Sequence, residues 1–198
     1  MPKVIDHDQR RREIIEVAKR LIAEGGFEAA TMRSIVTAAG FANGALKHYF
    51  AGKDEIIAAT FESVLQETAE QLSTMDVPAG PLDALRGFIE AVMPLDAHRI
   101  TSARVLLVLW EHSVANPDLA RRYRDLLTTW RAELVARIAA AWTAASRAEV
   151  EVLADEIISA TIGANVASLM HPVGDLVDRY HAYVESVMRR LTQVYPSR

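Results

Sequence analysis

Cysteine is missing from the 198-residue sequence, which excludes disulfides, thiolate metal clusters and a cysteine nucleophile. Long apolar runs are missing too. The longest unbroken aliphatic and aromatic run extends from Val105 to Trp110, whereas a helix that spans a membrane needs about 20 such residues. The first residues carry charges where a signal peptide has its apolar stretch. We therefore expect no membrane segment and a cytoplasmic protein.

Catalytic motifs are also absent. The sequence contains no H-E-x-x-H, no G-x-S-x-G and no phosphate-binding glycine loop. Glu111 and His112 are adjacent, so on a helix their side chains diverge by about 100° and cannot easily share one metal ion. The ionisable candidates in the C-terminal part form no ligand or triad spacing; they are His98, Glu111, His112, Asp155, Glu156, His171 and His181. We expect no enzyme activity, no metal and no cofactor.

Charge is distributed unevenly along the chain. The composition, 51% hydrophobic and 24% charged, is that of an ordinary globular protein. Residues 1–53 hold nine Lys and Arg against six Asp and Glu, whereas residues 54–198 are acidic and bring the net charge to −4. Arg10, Arg11 and Arg12 predict a solvated basic face that approaches phosphates. A basic N-terminal part and an acidic C-terminal part predict two separate functions.

Apolar residues recur with helical spacing almost everywhere, and strand-like alternation is scarce. This pattern predicts an all-α protein. The segment 75–81 holds two prolines and a glycine and marks a break. We divide the chain into an N-terminal helix-turn-helix domain, 1–53, and a C-terminal helical domain, 54–198. The predicted helices are 8–24, a short one from 31 to 39, 42–49, 53–74, 82–93, 97–115, 117–145, 147–170 and 174–194.

Two short helices joined at Gly40 carry the most informative pattern. They are too short to be stable alone, and glycine at the turn permits the positive φ that lets the second helix cross the first. By spacing alone, this unit is either a plain helical hairpin or a helix-turn-helix whose second helix enters the major groove of DNA. In the second case, Gly44 and Ala45 permit close approach, Asn43 can contact a base edge, and Lys47 a phosphate or a guanine.

The run TMRSIVTAAGFANGALKHYFAGKDEII, which begins at Thr31, closely resembles the DNA-binding domain of the TetR family of bacterial transcriptional regulators. The R-x-I-x-x-x-A-G core, the H-Y-F set and the following lysine carry this resemblance, which covers about residues 8–60. It implies that Lys47 stands where an aromatic residue is usual. It also implies DNA contacts, through bases or backbone, by Thr31, Arg33, Asn43, Gly44, Ala45, His48, Tyr49 and Lys53.

The C-terminal part resembles the BetI-like branch of the same family, whose namesake is a choline-responsive repressor. The resemblance is carried by LLVLWEHSVANPDL and the later Trp130. It implies a larger helical domain that binds a small organic effector and dimerises. Trp110 and Glu111 could bind a cationic group through a ring face and a carboxylate, although core packing also explains tryptophans in a helical bundle. The expected pocket residues are Met93, Trp110, Glu111, Trp130 and Asn165.

The last two helices are expected to form the dimer surface as part of a four-helix bundle. Their expected contacts are Leu153, Ile157, Thr161, Ala164, Tyr180, Val184, Val187 and Leu191. A dimer would hold two recognition helices about 34 Å apart, and an effector would change that spacing by pivoting the helix 53–74. The sequence thus predicts a homodimeric repressor that is released from a palindromic double-stranded DNA operator by its effector. The alternative is a constitutive DNA-binding module that recruits a protein partner.

Overall fold

The computed structural model describes residues 7–42, 44–74, 80–170 and 175–193. Most of the predicted break at 75–81, together with Asn43 and His171, lies outside these ranges. Within them the chain is helical and contains no strand, so the all-α prediction is confirmed. The helices are α1 (His7–Gly25), α2 (Met32–Ala39), α3 (Lys53–Thr74), α4 (Pro81–Val92), α5 (Ala97–Ser113), α6 (Pro117–Ala141), α7 (Arg147–Met170) and α8 (Asp175–Gln193), with 3-10 helices at Phe27–Ala29 and Ala45–His48.

Helix ends follow the capping residues that the sequence shows. The Thr31 hydroxyl accepts the Ser34 N–H at 3.0 Å, and the Ser34 hydroxyl accepts the Thr31 N–H at 2.9 Å. This reciprocal pair begins α2. Gly40 ends α2 in the left-handed conformation, with φ of 69°. Asn116 caps α6 ahead of Pro117 at the first helical position.

The N-terminal core joins α1, α2 and the start of α3 to α5. Ile14, Ile35, Leu46 and Phe50 are almost completely buried at its centre. Val105 of α5 belongs to the same cluster. The helix-turn-helix unit therefore rests on the helices that follow it rather than standing apart. The predicted division between residues 53 and 54 stays a prediction.

A second core is formed by α4, α6, α7 and α8, and it corrects the expected dimer surface. Leu153, Ile157, Thr161, Ala164, Val184, Val187 and Leu191 are each at most 8% exposed inside the single chain. The Tyr180 hydroxyl donates to the Ala164 carbonyl at 3.1 Å. These faces are used within the protomer, because helical periodicity marks an apolar face but not what that face packs against. They cannot be the surface that is offered to a second copy.

The exposed side of α7 carries a different apolar set. Val152 is 68% exposed, Ile162 41% and Met170 76%. Val152 and Met170 are about five helical turns apart, so they lie on the same side of α7, and Ile162 is within about 80° of them.

Among the helices that the structure describes, none combines the length and the hydropathy that a membrane span requires.

Candidate nucleic-acid interface and internal cavities

The segment after the Gly40 turn is shorter than expected. A helix was predicted over 42–49, but the structure has a 3-10 helix over Ala45–His48 only. Gly44 precedes it with φ of 92°, a left-handed conformation through which a right-handed α-helix cannot continue. Asn43 lies outside the described residues, so its base contact stays a prediction.

Arg11 holds residues 44–50, here called the recognition segment, in place. Its Nη1 donates to the Tyr49 carbonyl at 2.5 Å, and its Nη2 donates to Glu55 at 2.9 Å. The guanidinium also lies 4.0 Å from the centroid of the Phe50 ring. Glu55 in turn accepts the Ala51 N–H at 2.7 Å, and this bond, together with the Arg11 bond, lowers the pKa of the Glu55 carboxyl. Arg11 therefore joins α1, the recognition segment and α3, a role that the expected solvated face does not include.

Several expected DNA contacts are exposed, and others are engaged within the protein. Arg33, Gly44, Lys47 and His48 are exposed, as is Thr31, whereas Ala45 and Tyr49 are half-buried. The Tyr49 ring packs against the His7 ring at an angle of 37°, with 4.7 Å between the centroids. Lys53 places its Nζ 3.6 Å from the centroid of the Phe27 ring. The structure therefore leaves the cationic side chains of Arg33 and Lys47 exposed, whereas Lys53 packs against an aromatic ring.

Unpaired positive charge remains on the N-terminal unit. Arg12, Arg20, Arg33 and Lys47 are exposed, and none of them forms an ion pair within the described part of the chain. Such cations can replace the counterions of DNA phosphates, which makes binding dependent on salt.

A cavity of about 560 Å³ lies between α3, α4 and α6. Its volume is in the range of small-molecule sites. Its apolar wall consists of Phe61, Leu65, Phe88, Leu126 and Trp130, and its polar wall consists of Glu62, Thr68, Arg122, Asp125, Thr129, Glu133 and Arg137.

Both cations of this wall are already paired. Arg122 of α6 forms an ion pair with Glu62 of α3, and Arg137 pairs with Glu133 at 3.0 Å. Asp125 has no partner for its carboxylate among the described residues. The wall thus combines aromatic faces with one free carboxylate.

The structure brings together only part of the expected pocket. Trp130 lines the large cavity, and it also lines a second cavity of about 30 Å³ together with Asn165. Met93 is 1% exposed in the second core. Trp110, which is 53% exposed, and Glu111 line neither cavity. Sequence reasoning missed Phe61, Leu65 and Phe88, because their spacing is that of ordinary core residues.

In the described ranges no three His, Asp or Glu are placed to hold a metal ion.

Family comparisons match two parts of the chain. Residues 14–60 match the bacterial regulatory proteins of the tetR family. Residues 81–193, more than half of the chain, match the C-terminal domain of the BetI-type transcriptional repressor.

Named relatives and solved structures are similar along most of the chain. The HTH-type transcriptional regulator PksA of Bacillus subtilis is 26% identical over 90% of this chain and 88% of its own length. The HTH-type transcriptional regulator BetI of Stenotrophomonas maltophilia is 32% identical over 63% of this chain, and the match spans 64% of BetI. A Rhodococcus regulator has a TM-score of 0.78 at 22% identity, and a Saccharomonospora viridis regulator crystallised with choline has 0.78 at 21%. Each structural match covers 92% of this chain and 96% of the other.

Proposed function

Because the chain belongs to the TetR family of bacterial transcriptional regulators, with a BetI-type C-terminal domain, we propose a specific mode of action for it. It represses transcription as a homodimer on a palindromic operator, and a small organic effector releases it from the DNA. DNA binding and regulation follow from the family. Repression, the palindrome, the dimer and effector release are the proposed part.

The observation that carries this proposal is the position of α3. Its first turns place Ile56 and Ile57 in the core of the helix-turn-helix unit. Its next turns place Phe61 and Leu65 in the wall of the large cavity. A ligand in that cavity therefore touches the same helix that supports the recognition segment. A ligand that binds one orientation of α3 better than another must shift the DNA affinity.

The effector is proposed to be a small organic compound. The cavity volume and its aromatic wall suit such a ligand. A protein of the same fold was crystallised with choline, which supports a ligand of this size class for the present chain.

The dimer is proposed to form through the exposed side of α7 together with α8. Val152, Ile162 and Met170 supply the apolar contacts. We expect the protein to be a dimer by light scattering, Ile162→Arg to shift it to a monomer, and Ala136→Arg, an exposed position on α6, to leave it dimeric. A monomeric wild-type protein at micromolar concentration contradicts this interface.

A second function, a constitutive module that recruits a protein partner, is favoured by one observation. Trp110 and Val114 lie one turn apart on the C-terminal part of α5 and its cap, and they are 53% and 86% exposed. An apolar pair in this position, outside both cavities, can contact another protein.

The decisive experiment is selection of duplex DNA from a random library at two salt concentrations. We expect a palindrome. Arg33→Ala and Lys47→Ala should each either weaken the sequence preference at particular base positions or reduce the salt dependence of binding. Arg147→Ala removes the same charge at the start of α7 and should change neither. Salt-sensitive binding without sequence preference would contradict the repressor and favour the recruiting module.

A further inference from the structure

The small cavity adjoins the large one and has both polar and apolar side chains in its wall. It has a volume of about 30 Å³ and lies where α3, α5 and α7 meet, which is room for a group of about the size of one water molecule. Thr68 and Trp130 line both cavities. A ligand whose apolar body fills the large cavity can therefore extend a small polar group past these two side chains.

Two buried acceptors lie in the wall of the small cavity. Glu67 and Asn165 both line it. Glu67 Oε2 and Asn165 Oδ1 are buried and have no hydrogen-bond partner among the described residues. The His98 ring lies beside Glu67 Oε2, with Nε2 3.8 Å away, too far for a hydrogen bond. Arg99 also lines this cavity; its Nε is buried without a hydrogen-bond partner, and its guanidinium pairs with Asp96 at 3.3 Å. Buried polar atoms are normally bonded, so the two free acceptors call for a group that donates hydrogen bonds.

The other carboxylate oxygen of Glu67 links α3 to α1, the first helix of the N-terminal unit. Glu67 Oε1 accepts from Lys19 Nζ of α1 at 2.5 Å and from the Ser63 hydroxyl at 3.2 Å. Lys19 is only 7% exposed and also donates to Glu16 at 2.8 Å. Burial lowers the pKa of Lys19, but the bonds to the two carboxylates outweigh burial and raise it overall. Lys19 is therefore a charged, buried link between α1 and α3.

We propose that the small cavity binds a protonated amine of the effector, and that this amine competes with Lys19 for Glu67. The inference rests on the proposed effector-binding function. The amine donates to Glu67 Oε2 and Asn165 Oδ1 while the apolar body occupies the large cavity. Two ammonium groups on one carboxylate repel each other, so the ligand weakens the contact between Lys19 and Glu67. Helix α1 then loses its buried link to α3, and the recognition segment loses its fixed orientation.

Two probes test the amine site on the full-length protein. They are 2-phenylethylammonium and its N,N,N-trimethyl derivative, which has the same ring and charge but no N–H. We expect the primary amine to bind about tenfold more tightly by calorimetry, the factor for one hydrogen bond to a charged group. Glu67→Met and Asn165→Leu, which remove the acceptors, should each abolish most of this preference. Asp125→Asn removes the free carboxylate of the large cavity and should preserve it.

The outcomes separate the two claims. Equal binding of both probes, or loss of the preference in Asp125→Asn alone, overturns the amine site and leaves the effector cavity standing. Failure of both probes to bind overturns the proposed effector cavity and the amine site together. The Asn165 variant keeps the test valid if the Glu67 variant does not fold.

The competition with Lys19 has its own readout. With a selected duplex, fluorescence anisotropy should show that 2-phenylethylammonium weakens DNA binding by the wild type. In Lys19→Met the probe should still bind but should weaken DNA binding clearly less than it does in the wild type. Glu16→Gln removes the negative charge of the other partner of Lys19 without changing a residue of the cavity wall, and it should respond like the wild type. An unchanged response in Lys19→Met contradicts the competition.

Discussion

Replacement of Arg11 by methionine should loosen the recognition segment without opening the core. The substitution keeps an unbranched side chain on α1 but removes the bonds to the Tyr49 carbonyl and to Glu55. It also removes the cation from the face of Phe50. Leu46 and Phe50 stay buried in the core, so the segment should remain attached but less firmly oriented.

The size of the effect follows from two of these contacts. A hydrogen bond that involves a charged donor contributes about 1.5–3 kcal/mol, and a cation over an aromatic ring at a partly exposed site contributes about 0.5–1 kcal/mol. The Arg11 side chain is 34% exposed, which favours the lower end of both ranges. We expect a loss of about 2 kcal/mol in the free energy of unfolding, or about 4–8 °C in Tm for a chain of this length.

Thermal unfolding and DNA binding should be measured on Arg11→Met beside Arg12→Met. Arg12 is exposed and forms no hydrogen bond or ion pair with the described residues, so its substitution should leave Tm almost unchanged. The Arg11 variant should also bind a selected duplex up to about 30-fold more weakly, the factor that corresponds to 2 kcal/mol. If both variants melt together with the wild type, Arg11 does not hold the recognition segment and the reasoning is wrong.

Two further outcomes follow from the structure. Gly44→Ala should destabilise the protein by about 1–2 kcal/mol because the left-handed conformation is costly for alanine, whereas Gly52→Ala, where the space is also open but φ is not positive, should be nearly neutral in urea unfolding. Burial raises the pKa of Tyr123 to about 12, so the folded form retains its proton longer than the unfolded chain. Stability should therefore fall as the pH rises from about 10 towards 12, and Tyr123→Phe should remove that part of the loss; an equal slope in both proteins contradicts it.

The sequence predicted the helices well because their signals are local. Thr31, Gly40 and Asn116 act on the backbone within a few residues, and the structure shows each of them at the helix end where it was expected. The recognition segment was predicted too long. The residue types around Gly44 are compatible with either an α-helix or a left-handed turn. Only the packing of Leu46 and Phe50 on α1 selects one of these two conformations.

Contacts between distant parts of the chain could not be predicted in the same way. Arg11 stands in a run of three arginines, and nothing in that run distinguishes the one that bonds Glu55. The α7 periodicity identified an apolar face but not that Ile157 packs within its own chain. For the pocket, Phe61 and Phe88 look like any core residue, because a cavity is a gap between helices and leaves no pattern within one of them.

Helix α3 contributes both to the walls of the two cavities and to the N-terminal core. Phe61 and Leu65 line the large cavity and also pack in the core that Ile57 and Val64 share with α1 and α5. Glu67 of the same helix lines the small cavity and contacts Lys19. A rigid helix cannot move one side without the other, so any ligand that shifts the cavity wall also shifts the support of the recognition segment. The proposed effector response therefore needs no separate hinge; it needs only a ligand that distinguishes two positions of α3.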